Sequence, residues 1–204
     1  MKNFETPLAI TMGDPSGIGP EIILKSVVET KLNNFLIFGD SLVFDSLIKS
    51  LGLSLTINKI SELSEAIFEE DYINLFETSK LNHLPHYGKI SKECGKASFD
   101  AIMKSIELAK QGKVSGIVTA PISKKALNLA HINYPGHTEI LAGYSNNKAV
   151  SMMLLNKHIK TVLATLHCSM KQALDRITIQ NELDAIINAN LAVSYTHLTL
   201  PTKA

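Results

Sequence analysis

The sequence lacks the features that mark several large classes of protein. Cys94 and Cys168 are its only cysteines, and they have neither the density of a disulfide framework nor the spacing of a metal site. The formal net charge of +1 gives no reason to expect a nucleic acid or an anionic membrane as a partner. No apolar run is long enough to cross a bilayer, and residues 1–7 lack the apolar core of a signal peptide. We therefore predict a soluble, cytoplasmic protein.

The common phosphate-binding motifs are missing as well. The loop at 13–20 (GDPSGIGP) follows a predicted strand, but it matches neither the dinucleotide fingerprint nor the Walker sequence, which requires a lysine. Such a loop can bring backbone N–H groups close to a ligand, or it can serve only to turn the chain tightly against a sheet. The glycines alone favour the second interpretation.

The chain does have a regular alternation of strands and helices. Hydrophobic residues make up 45% of it and charged residues 19%, which is the composition of a globular protein. The residue pattern predicts strands at 8–12, 34–40, 53–57, 72–76 and 114–119, and helices at 21–30, 42–51, 91–111 and 179–192. Two further β-rich runs, 148–155 and 159–166, flank a turn and predict a hairpin that makes part of the sheet antiparallel. We predict an α/β fold with a mixed, largely parallel sheet flanked by helices.

One short stretch concentrates polar side chains that can bind a ligand. The Pro-Gly turn at 135–136 is followed by His137, Thr138 and Glu139, which open an apolar run that predicts a helix. Backbone N–H groups at such a helix start suit an anion such as a phosphate. Ligands of open α/β sheets bind at the strand ends, so we expect this turn to lie near Thr119 and Lys124.

A second histidine, His167, ends a β-branched run at 161–166 that predicts a buried strand. A histidine at the end of a strand is well placed to face a site. The residues by themselves leave an alternative open, in which His137 merely caps a helix and His167 is hydrogen-bonded at the edge of the core. Lys96, near the start of the long predicted helix, is interpreted as a solvated surface lysine.

Five motifs in register give the chain a family resemblance. They are 12–21 (MGDPSGIGPE), 95–98 (GKAS), 118–124 (VTAPISK), 135–139 (PGHTE) and 163–167 (LATLH). In this order they resemble the 4-hydroxythreonine-4-phosphate dehydrogenases of pyridoxal phosphate (vitamin B6) biosynthesis, the PdxA family. The resemblance runs from the start of the chain to about residue 192 and implies a fold of the isocitrate/isopropylmalate-dehydrogenase type, here truncated.

The resemblance implies a specific chemistry. Enzymes of this family use NAD or NADP and a divalent metal (Zn, Mg or Co) to oxidise 4-phosphooxy-L-threonine, and the product loses CO2 to give 3-amino-2-oxopropyl phosphate. The matching positions make His137 and Thr138 substrate-binding residues and His167 one of three metal ligands. The loop at 13–20 then becomes a wall of the cleft, with Asp14, Gly17 and Lys124 as its candidate residues. No catalytic residue is assigned. The full-length enzyme is expected to be a homodimer with active sites at the subunit interface.

The sequence also departs from the family pattern. Family members are longer, and their other two metal-ligand histidines lie beyond residue 204, so we expect this chain to be inactive alone. Residues 193–204 change character abruptly and resemble the translation of a sequencing adapter. The hypothesis is therefore that 1–192 is the amino-terminal part of a two-lobed dehydrogenase and that 193–204 is a non-native tail. Two other functions stay open: a dehydrogenase of a related sugar-acid phosphate (threonate or erythronate 4-phosphate), and a non-catalytic module that binds a phosphorylated ligand.

Overall fold

The structure, a computed structural model, describes residues 6–145, 150–166 and 168–196. The chain divides into two compact units, Met1–Ser145 and Asn146–Ala204. None of the described helices is long and apolar enough to span a membrane.

The first unit is built around a five-stranded parallel sheet in the order β3-β4-β2-β1-β5. In chain order its strands and helices are β1 Leu8–Thr11, α1 Gly19–Thr30, β2 Phe35–Gly39, α2 Ser41–Leu51, β3 Thr56–Ile60, β4 Tyr72–Glu77, α3 Lys92–Lys110, β5 Gly116–Thr119, α4 Lys124–Leu129 and α5 His137–Tyr144. A single 3-10 turn, Leu63–Glu65, lies between β3 and β4. The predicted α/β class with a largely parallel sheet is confirmed.

The central strands carry apolar side chains on both faces, as a sheet covered by helices on both sides requires. Every residue of β2 is buried. Ile37 belongs to the core cluster that includes the apolar faces of α1 and α2, whereas Leu36 belongs to a second cluster that includes residues of α3. In this second cluster the rings of Phe38 and Phe76 stack with centroids 5.1 Å apart. The sheet is therefore the middle layer of three.

Local chemistry sets the helix ends. Asp40 caps α2, because its carboxylate accepts a hydrogen bond of 3.0 Å from the Leu42 N–H. The third strand was predicted to begin at Leu53 but begins at Thr56. Leu53 donates its N–H to the Ile48 carbonyl, so it still belongs to the turn that ends α2.

The second unit contains β6 Met152–Leu155, β7 Lys160–Leu163, α6 Met170–Arg176 and α7 Ile179–Thr196. The predicted hairpin is present, and its turn is closed by the Asn156 side chain, which accepts hydrogen bonds of 2.8 Å from His158 and Ile159. In the described part of the chain β6 and β7 form a sheet of their own, which differs from the prediction that they belong to the main sheet.

Two predictions about the second unit differ from the structure. The run at 161–166 was predicted to be a buried strand, but β7 ends at Leu163, its first two residues are exposed and its last two are half-buried. The faces of this two-stranded sheet are therefore not enclosed as those of β2 are. The helix predicted at 179–192 continues to Thr196.

Candidate functional site

The carboxyl ends of β1 and β5 lie side by side at the centre of the first unit. The two strands pair in parallel with Thr11 opposite Thr119, and β1 lies between β5 and β2. The chain leaves β1 toward β2 on one side and later returns to form β5 on the other. Such a reversal of strand order leaves a crevice at the carboxyl ends, which is the usual ligand site of an open α/β sheet.

The glycine-rich loop after β1 fits closely against the loop after β5. Gly13 has a φ of +74°, and a Cβ added there would overlap the carbonyl oxygen of Pro121. The Asp14 N–H donates to that same oxygen at 2.9 Å. A Cβ at Gly19 would overlap the Met12 carbonyl oxygen. Close packing therefore requires glycine at positions 13 and 19. This agrees with the interpretation that the loop turns the chain tightly against the sheet.

The two candidate cleft residues of this loop, Asp14 and Gly17, have different structural roles. Asp14 is only 7% exposed, and its Oδ1 accepts hydrogen bonds from the Ser16 N–H at 2.9 Å and from the Ser16 hydroxyl at 2.8 Å. Its carboxylate therefore shapes the loop from within. At Gly17 an added Cβ would meet the Asp14 carbonyl oxygen at 3.4 Å, which is ordinary contact, so packing does not demand a glycine there.

His137 is the predicted site residue that the structure brings most clearly to the crevice. It is the first residue of α5, and its ring hydrogen-bonds to the backbone of Ala120, the residue after β5. Its Nε2 is buried and has no hydrogen-bond partner among the described residues. The expected approach of the 134–139 turn to the end of β5 is thus observed.

The environment of His137 favours the neutral form of its imidazole. Burial lowers the pKa of the ring because it disfavours the charged form, and the hydrogen bond to Ala120 opposes this only in part. Buried polar atoms in proteins nearly always have a partner, so the unpaired Nε2 needs a reason. A polar ligand group in the crevice would supply one. The alternative in which His137 only caps its helix is not supported, because its ring bonds to a different loop and the cap position is occupied by Gly136.

Two further residues predicted for the site, Thr138 and Lys124, lie at the starts of helices α5 and α4. Thr138 is half-buried in the first turn of α5, next to His137. Lys124 begins α4 directly after the β5 loop; it is exposed and has no ion-pair partner among the described residues. Lys96 is at the surface in an ion pair of 2.8 Å with Asp100, as its interpretation as a solvated lysine expected.

The predicted metal site is not tested by the structure. His167, its proposed ligand, lies outside the described residues. The described residues contain no group of three or more His, Cys, Asp or Glu side chains that could hold a metal ion. The described histidines His83, His86, His131 and His158 are exposed.

Two buried polar residues support the crevice and were not identified from the sequence. The Ser98 hydroxyl on α3 lies within hydrogen-bonding distance of two carbonyl oxygens, that of Gly13 at 3.0 Å and that of Cys94 on its own helix at 2.8 Å, and its contact with Gly13 joins α3 to the glycine-rich loop. The Asp40 carboxylate, after β2, accepts hydrogen bonds from the Ser79 hydroxyl at 3.1 Å and the Leu81 N–H at 2.7 Å and so fixes the segment after β4. The GKAS motif contained Ser98, but its role depends on a contact 85 residues away.

Comparison with known proteins agrees with the family resemblance of the five motifs. Residues 31–199 match the family model described as "Pyridoxal phosphate biosynthetic protein PdxA". The chain is 46% identical over 187 residues to a 4-hydroxythreonine-4-phosphate dehydrogenase of Beijerinckia indica, covering 91% of this chain and 56% of that protein. It is 34% identical over 200 residues to a "Putative D-threonate 4-phosphate dehydrogenase" of Fusobacterium nucleatum, covering 96% of this chain and 60% of that protein.

A solved structure agrees with the sequence relatives. A 4-hydroxythreonine-4-phosphate dehydrogenase of Klebsiella pneumoniae superimposes with a TM-score of 0.86 at 30% identity, covering 98% of this chain and 61% of that one. The chain therefore spans somewhat more than half the length of the relatives that it matches.

Proposed function

Because the chain belongs to the PdxA family of pyridoxal phosphate biosynthetic proteins, we propose that it is the amino-terminal part of a 4-hydroxythreonine-4-phosphate dehydrogenase. The whole enzyme would oxidise 4-phosphooxy-L-threonine with NAD or NADP, and loss of CO2 would give 3-amino-2-oxopropyl phosphate. The observation that supports this most is the 46% identity over 187 residues to the Beijerinckia indica dehydrogenase.

In this proposal His137 and Thr138 bind the substrate. The His137 ring lies against the backbone of Ala120, burial lowers its pKa, and its Nε2 is buried and unpaired. A hydrogen bond between a substrate group and Nε2 would remove the cost of that unpaired atom, which is about 1–3 kcal/mol. The first turn of α5 adds its N–H groups, whose partial positive charge favours an anionic substrate. Asp14, Gly17 and Lys124 are proposed as the adjoining wall.

The family chemistry also calls for a divalent metal, which when bound would withdraw electrons from the reacting oxygen. His167 is proposed as one ligand, and the described residues include no group of three His, Cys, Asp or Glu side chains that would complete the site. The described residues would position the substrate and hydrogen-bond to it. Homodimerisation and a cytoplasmic location are proposed for the whole enzyme.

A second candidate is a dehydrogenase of D-threonate or D-erythronate 4-phosphate. The D-threonate substrate is favoured by relatives named "Putative D-threonate 4-phosphate dehydrogenase" in Fusobacterium nucleatum and Clostridium botulinum, each 34% identical to this chain. Both substrates carry a phosphate and a secondary alcohol, so His137 and Thr138 would serve in either case. A third candidate, a phosphate-ligand-binding module without redox chemistry, would bind these compounds and reduce no NAD or NADP.

The proposal is tested in two steps. The first is to sequence the genomic DNA across codons 185–204 and onward, because residues 193–204 are proposed to be non-native. A frame that continues past Ala192 and encodes two further histidine ligands is expected, whereas a stop after Ala204 would favour the binding module. The second is to assay the completed protein with 4-phosphooxy-L-threonine and with the D-threonate and D-erythronate phosphates, each with NAD and with NADP. The first substrate is expected to have the highest kcat/KM.

A further inference from the structure

A long segment joins β4 to α3 and forms neither a helix nor a strand. It covers residues 78–91, all of which the structure describes. Connections of this length are uncommon in a compact domain, and those that are ordered usually have a function. The segment is fixed at two points: the buried Asp40 carboxylate accepts the Leu81 N–H at 2.7 Å, and the Ser16 carbonyl oxygen accepts the Gly88 N–H at 2.8 Å. Contacts with the loops after β2 and β1 therefore set its shape.

A cavity lies between this segment and the first turns of α3. We call it the α3 cavity. Its volume is about 450 Å³, within the range of about 300–1,000 Å³ that is typical of sites for small organic ligands. The apolar side chains that line it are Leu81, Pro85, Ile90, Cys94 and Ala97. Because the segment follows the carboxyl end of β4, the cavity lies at the edge of the sheet where ligands usually bind. None of the residues placed at the crevice between β1 and β5 lines it.

The polar part of the α3 cavity is rich in basic side chains. These are Lys80, His83, His86, Lys89 and Lys96, and each of the two imidazoles offers at least one N–H donor. Lys96 is paired with Asp100 at 2.8 Å, and Lys80 lies 3.9 Å from Glu77. The ion pairs of the described residues leave Lys89 without a partner. Lys89 is therefore free to bind an anion.

Two carboxylates also line the cavity, and neither is ion-paired with Lys89. Asp100 is bonded to Lys96. Glu93 lies in the first turn of α3, where the backbone N–H groups carry partial positive charge. The three lysines thus outnumber the two carboxylates in a cavity that also has apolar walls. This combination suits a ligand with a negative group on an apolar body.

We propose that the α3 cavity binds an organic phosphate about the size of a nucleoside monophosphate. Lys89 and the two imidazoles hold the phosphate, and the apolar body lies against Leu81 and Ile90. Two sources carry this chemistry: one end of NAD or NADP, and a separate organic phosphate. The inference does not rest on the proposed function, which concerns His137 and the crevice between β1 and β5.

The test uses the 204-residue chain with isotopically labelled histidine, and the probe is adenosine monophosphate. The NMR signals of His83, His86 and His137 are identified by their loss in the three His→Gln variants. Inorganic phosphate and adenosine are titrated in parallel, because each has only one half of the chemistry of the probe. Lys89→Gln removes the unpaired charge. Lys49→Gln is the matched control, because Lys49 is exposed in the last turn of α2 and does not line the cavity.

Adenosine monophosphate is expected to shift the signals of His83 and His86 and to leave that of His137 unchanged. Inorganic phosphate and adenosine are expected to bind more weakly than the probe. Lys89→Gln is expected to bind the probe about tenfold more weakly, because a charge-assisted hydrogen bond is lost, whereas Lys49→Gln binds like the parent. Ile90→Asp, which adds a carboxylate at a position that is 47% exposed, is expected to bind more weakly as well.

Competition distinguishes the two sources. If NAD or NADP displaces the probe from the α3 cavity, the cavity holds one end of the cofactor. If neither displaces it, the ligand is a separate organic phosphate. Both results support the site.

Three results would overturn the proposal: no shift at His83 and His86, a shift confined to His137, or equal affinity of the parent and Lys89→Gln for the probe. Failure of the proposed function is a separate result. If 4-phosphooxy-L-threonine causes no change at His137, the substrate role of His137 fails, and the result with adenosine monophosphate still stands.

Discussion

The Ser98 hydroxyl lies 3.0 Å from the carbonyl oxygen of Gly13, a bond for which it uses the same proton that can go to the Cys94 carbonyl at 2.8 Å, and both Ser98 and Gly13 are buried. The bond joins α3 to the loop after β1, and the same loop donates the Asp14 N–H to Pro121 in the loop after β5. Three of the five motifs that carry the family resemblance are thus joined by hydrogen bonds: the motif at 12–21 contacts both the motif at 95–98 and the motif at 118–124.

Replacement of Ser98 by alanine is expected to destabilise the protein by about 1–2 kcal/mol, because the buried Gly13 carbonyl loses its side-chain donor. Ser105→Ala is the matched control. Ser105 is equally buried on the same helix, but its hydroxyl bonds only locally, to the Ile102 carbonyl at 2.7 Å. Urea unfolding should show a smaller loss, under about 1 kcal/mol, for the control. Equal losses of unfolding free energy in the two variants would show that the contact with Gly13 does not add to stability.

Gly13 and Gly88 form a second matched pair, because both have a φ of +74°. An alanine at either position is strained by its backbone conformation, at a cost of about 1–2 kcal/mol. At Gly88 the added Cβ meets nothing within 4 Å, whereas at Gly13 it overlaps the Pro121 carbonyl oxygen. We expect Gly13→Ala to cost about 3 kcal/mol or more in unfolding experiments. Comparable stability of the two variants would mean that the β1 and β5 loops do not pack as described.

Asp40→Ala removes three hydrogen bonds from a residue that is 1% exposed. The variant loses the cap of α2 and leaves the Leu81 N–H without its acceptor, so a loss of about 2–4 kcal/mol is expected. Asp45→Ala, at an exposed position of the same helix, is expected to change stability by less than about 0.5 kcal/mol. Thermal unfolding of the two variants is the measurement. An Asp40→Ala protein as stable as Asp45→Ala would contradict the role assigned to Asp40.

His137 makes stability depend on pH in a defined direction. Its pKa is lowered in the folded state by burial, so the unfolded chain binds its proton more tightly. Stability is therefore expected to fall as the pH drops below about 6.5, the ordinary value for histidine, and to level off below the lowered pKa of the folded state. His137→Gln should lose this part of the dependence. Unfolding free energies of both proteins between about pH 5.5 and 7.5 provide the measurement, and parallel pH curves would contradict the assignment.

The fold could be predicted from the sequence where local patterns determine it. The buried strands, the long helix after Ser91 and the hairpin at Asn156 all follow from hydrophobic period and turn chemistry. The start of β3 could not be predicted, because Leu53 is apolar and yet belongs to the turn that ends α2. The weak burial of β7 could not be predicted either, because its sequence is typical of a buried strand although its sheet has only two strands.

The site was predictable to the extent that strand ends of a parallel sheet meet at one edge. That rule placed the His137 turn near the end of β5, where its ring bonds to Ala120. The rule says nothing about Ser98, whose role depends on how α3 crosses a loop distant in sequence. Likewise, the ring contacts of Tyr134 and Tyr144 with Phe99 depend on how α3 packs against a segment distant in sequence.

The most direct test of the central claim is the activity of the completed enzyme with and without its His137 imidazole. We would measure kcat/KM for 4-phosphooxy-L-threonine in the parent protein, in His137→Gln and in His158→Gln, a control at an exposed hairpin turn. The account predicts NAD(P)H formation by the parent, a loss of about a hundredfold in His137→Gln and full activity in the control. A parent that forms no NAD(P)H from any of the phosphate substrates, or a His137→Gln variant as active as the parent, would contradict it.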